Sequence, residues 1–187
     1  MPLSSPTPRK PIHDRVIRMS AYQREDGLFD IESHLVDTKP MSVQRIMALE
    51  PSPPGAHLHD LLIRLTLNEA FVIQAIEASS DTTPYTICKN AESSLSVLIG
   101  EQVGKGWSRL VKGKLRGTLS CTHLMEMLIP MATTAFQGIK GLRFSASLER
   151  KAEPIPELIN SCYAFADHRE VVMKIWPEKY KQNQSMP

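Results

Sequence analysis

Residues 61–67 (LLIRLTL) and 71–78 (FVIQAIEA) are two apolar, β-branched runs separated by Asn68-Glu69. No other feature constrains the fold of this chain as strongly. Runs of this length and composition suit a pleated, half-buried surface. The polar step between them predicts a tight antiparallel return. Residues 79–84 then read as a loop.

A second hairpin is expected upstream. Residues 16–22 (VIRMSAY) have strand character, and Asp26-Gly27 is a hairpin-favouring dipeptide. Residues 28–36 alternate, with Leu28, Asp30 and Glu32 on one side and Phe29, Ile31 and Ser33 on the other. Lys39-Pro40 breaks this strand, and residues 41–54 read as an irregular, Pro-rich loop or edge.

Helical spacing follows. Ile87, Ala91, Leu95 and Leu98 predict a helix stopped by Gly100. Trp107, Leu110, Val111 and Leu115 predict a basic helix ended by Gly117. Residues 121–137 predict a third, with Leu124, Leu128, Met131 and Ala135 inward and a kink at Pro130. Residues 143–150 fit no single period. Residues 162–165 and 171–176 flank Asp167-His168-Arg169-Glu170 and read as a last strand pair. The expected fold is α+β, an antiparallel sheet with a helical layer on one face. Residues 1–12 read as an extended arm, 13–180 as a single α+β domain and 181–187 as a flexible tail.

Composition narrows the function. A formal net charge of +2 argues against a nucleic-acid footprint. The Lys/Arg residues from Lys105 to Arg116 read as a solvated helix face or a contact for an anionic group. Three cysteines cannot all pair, which suits a reducing cytoplasm. No apolar run reaches the roughly 20 residues of a membrane span, and residues 1–11 lack the apolar core of a signal peptide. There is no G-x-G-x-x-G, P-loop, G-x-S-x-G, C-x-x-C or H-E-x-x-H. Nucleotide-driven, serine-hydrolase and zinc-finger chemistries lose ground.

Three polar clusters remain. Cys121-Thr122-His123 stands where a helix begins, and a helix N-terminus favours a thiolate. Cys121 and His123 converge only if Cys121 is at or before the N-cap. Cys88 lies at the start of the first helix beside Tyr85, as a buried hydrophobe or a site residue. His57 and His59 alternate on an extended segment, so both are expected to point the same way, with Asp60 opposite. They read as a metal or acid–base pair, or as two loop histidines. Asp37 and Lys39 at a strand end could position a substrate or form a surface ion pair.

Together, Asp26-Gly27-Leu28-Phe29-Asp30-Ile31-Glu32, Asp37-Thr38-Lys39, His59-Asp60, Pro84-Tyr85 with Cys88, Gly106-Trp107 and Cys121-Thr122-His123-Leu124 resemble a bacterial domain family of unknown function. The resemblance runs through Trp176-Pro177. It implies a place among genes for bacterial catabolism of aromatic compounds. A more distant similarity is to the NifU/SufE-like iron–sulfur scaffold fold, in which a hairpin is followed by a helix carrying one Cys and a later helix beginning with another. That similarity implies a NifU/SufE-like core plus an N-terminal hairpin. Here Leu58 or His59 stands where the first ligand cysteine would fall. This disfavours cluster assembly and leaves a mononuclear metal or a metal-free pocket.

The resulting expectation is a small cytoplasmic lyase that cleaves a carbon–carbon bond in a phenolic, lignin-derived substrate and releases formaldehyde. Its catalytic residues would be His59, Asp60, Tyr85, Asp37 and Lys39, with His123 a further candidate base. Cys88, Cys121 and His123 would be ligands if one Zn or Fe ion is bound. The expected partner is a small aromatic substrate, with no nucleic acid and no membrane; a homodimer is a further candidate. The alternative is a metal- or iron–sulfur-binding accessory module serving a catabolic enzyme.

Overall fold

Alternation in a single strand organises the sheet. The structure, a computed structural model, describes residues 3–143, 145 and 158–182. In it, β2 (Phe29–Thr38) buries Phe29, Ile31, Ser33, Leu35 and Asp37 and turns the residues between them the other way. β1 (Asp14–Gln23) pairs with β2 across the expected turn. There Gly27 takes φ 83°, and the Arg24 N–H donates to the Leu28 carbonyl at 2.9 Å. Glycine adopts this left-handed conformation without a Cβ penalty. β3 (His57–Leu67) and β4 (Ile73–Thr82) complete a four-stranded antiparallel sheet in the order β1-β2-β3-β4.

The second hairpin differs from expectation at both ends of its return strand. Asn68 Oδ1 accepts the N–H groups of Ala70 at 3.0 Å and Val72 at 2.9 Å. This Asx-type turn takes up Phe71, which sits at φ 62°. A bulky residue is costly there. Its ring is buried and stacked on Phe136 with centroids 4.8 Å apart, which holds the conformation. At the far end, residues 79–82 belong to the strand, because Ser80 pairs with Leu61 and Thr82 with Asp60. Backbone pairing outweighs the polar side chains that suggested a loop.

Helices cover one face of the sheet. Residues Thr86–Leu98 form a 3-10 helix, closed by Gly100 at φ 84°. Its period of three stacks Leu95 over Leu98, both buried, whereas Ile87 is 73% exposed despite its α-helical spacing. α1 (Trp107–Leu115) buries Trp107, Val111 and Leu115. The Trp107 indole N–H donates to the Leu128 carbonyl at 2.8 Å, which satisfies the buried donor and ties α1 to α2 (Thr122–Ala135). α2 buries Leu124, Leu128, Met131 and Ala135 and runs through Pro130 to its end. Leu35, Leu61, Leu65, Leu98, Leu124 and Leu128 share one core with the other buried sheet and helix residues. Each fully buried leucine contributes about 1.5–3 kcal/mol. The fold is α+β, a sheet with a helical layer.

Beyond α2, one turn of π-helix (Phe136–Lys140) brings Gly138 against β1. A Cβ added at Gly138 would lie 2.7 Å from the Ala21 Cβ. Neither atom can rotate away. Gly138→Ala is therefore expected to cost about 1–3 kcal/mol in urea unfolding, and Ala21→Gly in the same chain should recover part of it. An unchanged midpoint would show that this contact is looser than described.

The chain divides into two compact units, Met1–Ile139 and Lys140–Pro187. The sheet, the helical layer and the site described below lie in the first. In the second, residues 160–169 form turns and α3 (Glu170–Ile175) is a short helix. The expected strand pair is not formed there. Glu170 and Lys174 pair one turn apart, which supports the helix. Most of residues 143–150 and of the tail at 181–187 lies outside the described residues. No helix among the described residues is long and apolar enough to cross a membrane.

Candidate functional site

Strand register builds a polar cluster in the first unit. Asp37 ends the inward-facing row of β2, and its side chain is 1% exposed. A carboxylate buried at a sheet end needs cationic partners. Opposite it on β1 stands Arg15. Arg15 Nε donates to Oδ1 and Nη2 to Oδ2, each at 2.7 Å, a two-point fork matched to a carboxylate. On β3, His59 is the register partner from the other side, and its Nδ1 lies 2.9 Å from Asp37 Oδ2. His13 Nε2 adds a contact of 3.2 Å to Oδ1. Burial alone would push the Asp37 carboxyl up, but Arg15 and then His59 outweigh it and hold it at about 2. The carboxylate is thus ionised and only accepts. His59 Nδ1 must carry a proton, and in the neutral imidazole the lone pair is then on Nε2.

α2 supplies the facing groups. Cys121 is its N-cap. The thiol lies 3.8 Å from His123 Nδ1. Burial opposes ionisation of the thiol, yet the His123 imidazole and the backbone N–H groups of Leu124 and His123 bring it below the ordinary cysteine value. The His123 ring in turn lies 4.0 Å from the His59 ring, centroid to centroid, tilted by 37°. A continuous series results: Arg15, Asp37, His59, His123, Cys121.

This series opens on a cavity of about 640 Å³, within the range of small-molecule sites. His59, His123, Cys121, Cys88 and Tyr85 line it, together with Leu61, Pro84, Ala91 and Leu119. The Ser94 and Ser120 hydroxyls meet in its wall at 2.7 Å. Five candidates from separate parts of the sequence therefore share one space.

Other candidates lie elsewhere. Between the Asp37–His59 and Thr38–His57 pairs, β3 carries one extra residue, Leu58. Such a bulge reverses the side-chain alternation. His57 and His59 consequently do not point the same way. His57 Nδ1 meets Asp60 Oδ2 at 2.8 Å, and His34 Nε2 meets Asp60 Oδ1 at 2.7 Å. Burial raises the Asp60 carboxyl, but the two histidines hold it below its usual value. Asp60 is engaged by this second cluster, and Asp37 is the carboxylate that orients His59. Lys39 reaches the Ile12 carbonyl at 3.3 Å and does not line the cavity. The surface ion pair envisaged for Asp37 and Lys39 gives way to the part-buried Arg15–Asp37 fork.

The donor set also differs from the one expected for a metal. Among the described residues, the ligand atoms of Asp37, His59 and His123 all lie within 4.8 Å of one another. Neither Cys88 nor Cys121 is part of that group. Arg15 and His13 were not anticipated as site residues. Counting pairs outward from the Asp26-Gly27 turn would have placed Arg15 beside Asp37.

Comparison with known proteins gives a family and no named function. A family model described as a protein of unknown function, DUF2889, matches residues 13–137. This span includes every residue of the cavity. No curated protein and no solved structure matches the chain.

Proposed function

The chain belongs to the DUF2889 family of proteins of unknown function, and we propose that its cavity is the active site of a carbon–carbon lyase acting on a small phenolic compound. The observation that carries this reading is His59, oriented by the Arg15-held Asp37 carboxylate and lining a cavity of about 640 Å³ beside a second imidazole. An imidazole so oriented is a general base or acid. The aromatic substrate class comes from the catabolic gene context that the resemblance implies. A cytoplasmic setting suits the three free cysteines.

The chemistry needs a base at a hydroxyl and a place for developing charge. His59 Nε2 takes the proton of a substrate hydroxymethyl group. The C–O bond becomes a carbonyl as the C–C bond breaks, and formaldehyde leaves. The electron pair of that bond passes through the conjugated substrate to an oxygen. Tyr85 at the cavity wall donates a hydrogen bond to that oxygen. The test is formaldehyde release from a panel of hydroxymethyl-bearing phenolic dimers. Release that ceases in the His59→Ala variant is the expected result; no release from any member by the folded protein would overturn the reading.

The convergence of Asp37, His59 and His123 favours a second reading, a zinc or iron site held by these three residues. The fit is incomplete, because Arg15 already places a cation on both Asp37 oxygens. Elemental analysis decides it: about one metal per chain, lost in His123→Ala, would establish a metal centre of the three-ligand kind. An iron–sulfur role has less support, because Cys88 and Cys121 are the cysteines that line the cavity among the described residues.

A further inference from the structure

The lyase reading uses His59 and Tyr85 but gives Cys121 no task. Cys121 lies in the cavity wall with its sulfur 3.8 Å from His123 Nδ1 and at the N-terminus of a 14-residue helix. His123 is backed by His59 and Asp37. A thiol paired with an imidazole, beside a second oriented imidazole, is the arrangement of an activated nucleophile. Cys88 lines the same cavity without that pairing, which makes it an internal comparison.

We infer that Cys121 binds an aldehyde covalently in this cavity, as a reversible thiohemiacetal. The identity of that aldehyde as the product of C–C cleavage rests on the lyase reading; the addition itself does not. His123 Nδ1 takes the thiol proton of Cys121, the sulfur attacks the carbonyl carbon and an S–C bond forms. The carbonyl π pair moves to oxygen, which takes the proton from His123 Nδ1. Thiol and aldehyde give a thiohemiacetal with nothing oxidised, nothing reduced and no group expelled. Return of the proton to His123 reverses the step. Aldehyde is the class that fits because the step needs no leaving group, cofactor or co-reactant.

The experiment adds isotope-labelled formaldehyde to the full-length protein and follows its carbon resonance by NMR. A thiohemiacetal resonance is expected in the wild type and in the Cys88→Ser/Cys162→Ser double variant. It should be absent in Cys121→Ser, weakened in His123→Gln and lost on dilution. Circular dichroism on each variant, with Cys121→Ala as a second replacement, separates lost chemistry from lost folding. A resonance unchanged in folded Cys121→Ser or Cys121→Ala, or none in the wild type at saturating formaldehyde, would overturn the inference. No phenolic substrate is present, so the two readings fail separately. Adduct without cleavage activity removes the lyase alone, and cleavage without adduct removes the thiohemiacetal alone.

Discussion

Asp37→Asn is expected to destabilise the protein by about 2–3 kcal/mol, less than the one-sided loss of a fully buried ion pair, because the Arg15 side chain stays 33% exposed. The amide keeps the shape of the buried side chain but removes the charge that meets Arg15, so the two-point fork to the guanidinium loses its charge assistance. The wild type should show the same interaction through pH. The Asp37 carboxyl is held at about 2 against an ordinary 3.8. A lowered folded-state value stabilises above the unfolded value and is lost as pH falls through the folded one. This contribution, about 2 kcal/mol by linkage, is full above about pH 4 and fades toward pH 2. Urea unfolding of both proteins across that range checks the account. The stability gap should narrow as the medium acidifies; a gap below about 1 kcal/mol at neutral pH would place Asp37 among ordinary surface ion pairs.

His59→Ala is expected to lower turnover by about 10²–10⁴-fold, the usual contribution of a positioned acid–base group. The fold should survive, because Asp37 keeps its fork to Arg15 and the lost ring borders a cavity. His57→Ala is the matched control. It removes a histidine two positions away that is held by Asp60 in the other cluster, and its rate should stay within about twofold of wild type, since only acid–base groups that reach the reacting proton contribute. Equal losses in the two variants would mean that the strand end, and not the His59 imidazole, is what activity requires.

The contrast between these two histidines shows where sequence reasoning succeeds and where it stops. Alternation through Phe29, Ile31, Ser33 and Leu35 is legible because one face of β2 is buried, and continuing it places Asp37 inward. The helical spacing of Leu124, Leu128, Met131 and Ala135 is legible for the same reason and fixes Cys121 at the start of α2. The bulge at Leu58 has no signature in the residues His57-Leu58-His59, yet it decides which histidine reaches the cavity. Arg15 lies on the outermost strand of the sheet, in a segment with little burial of its own. Only the pairing register reveals its role. The expected strand at 171–176 failed for a different reason. A short apolar run does not distinguish strand from helix, and the exposed Glu170–Lys174 pair adds support to the helix.

The most direct measurement is formaldehyde release from a phenolic dimer by wild-type protein stripped of metal with a chelator, beside stripped His59→Gln. The account predicts full activity in the first and almost none in the second, with both folded. Activity lost on stripping and restored by zinc or iron, or activity retained in His59→Gln, would contradict it.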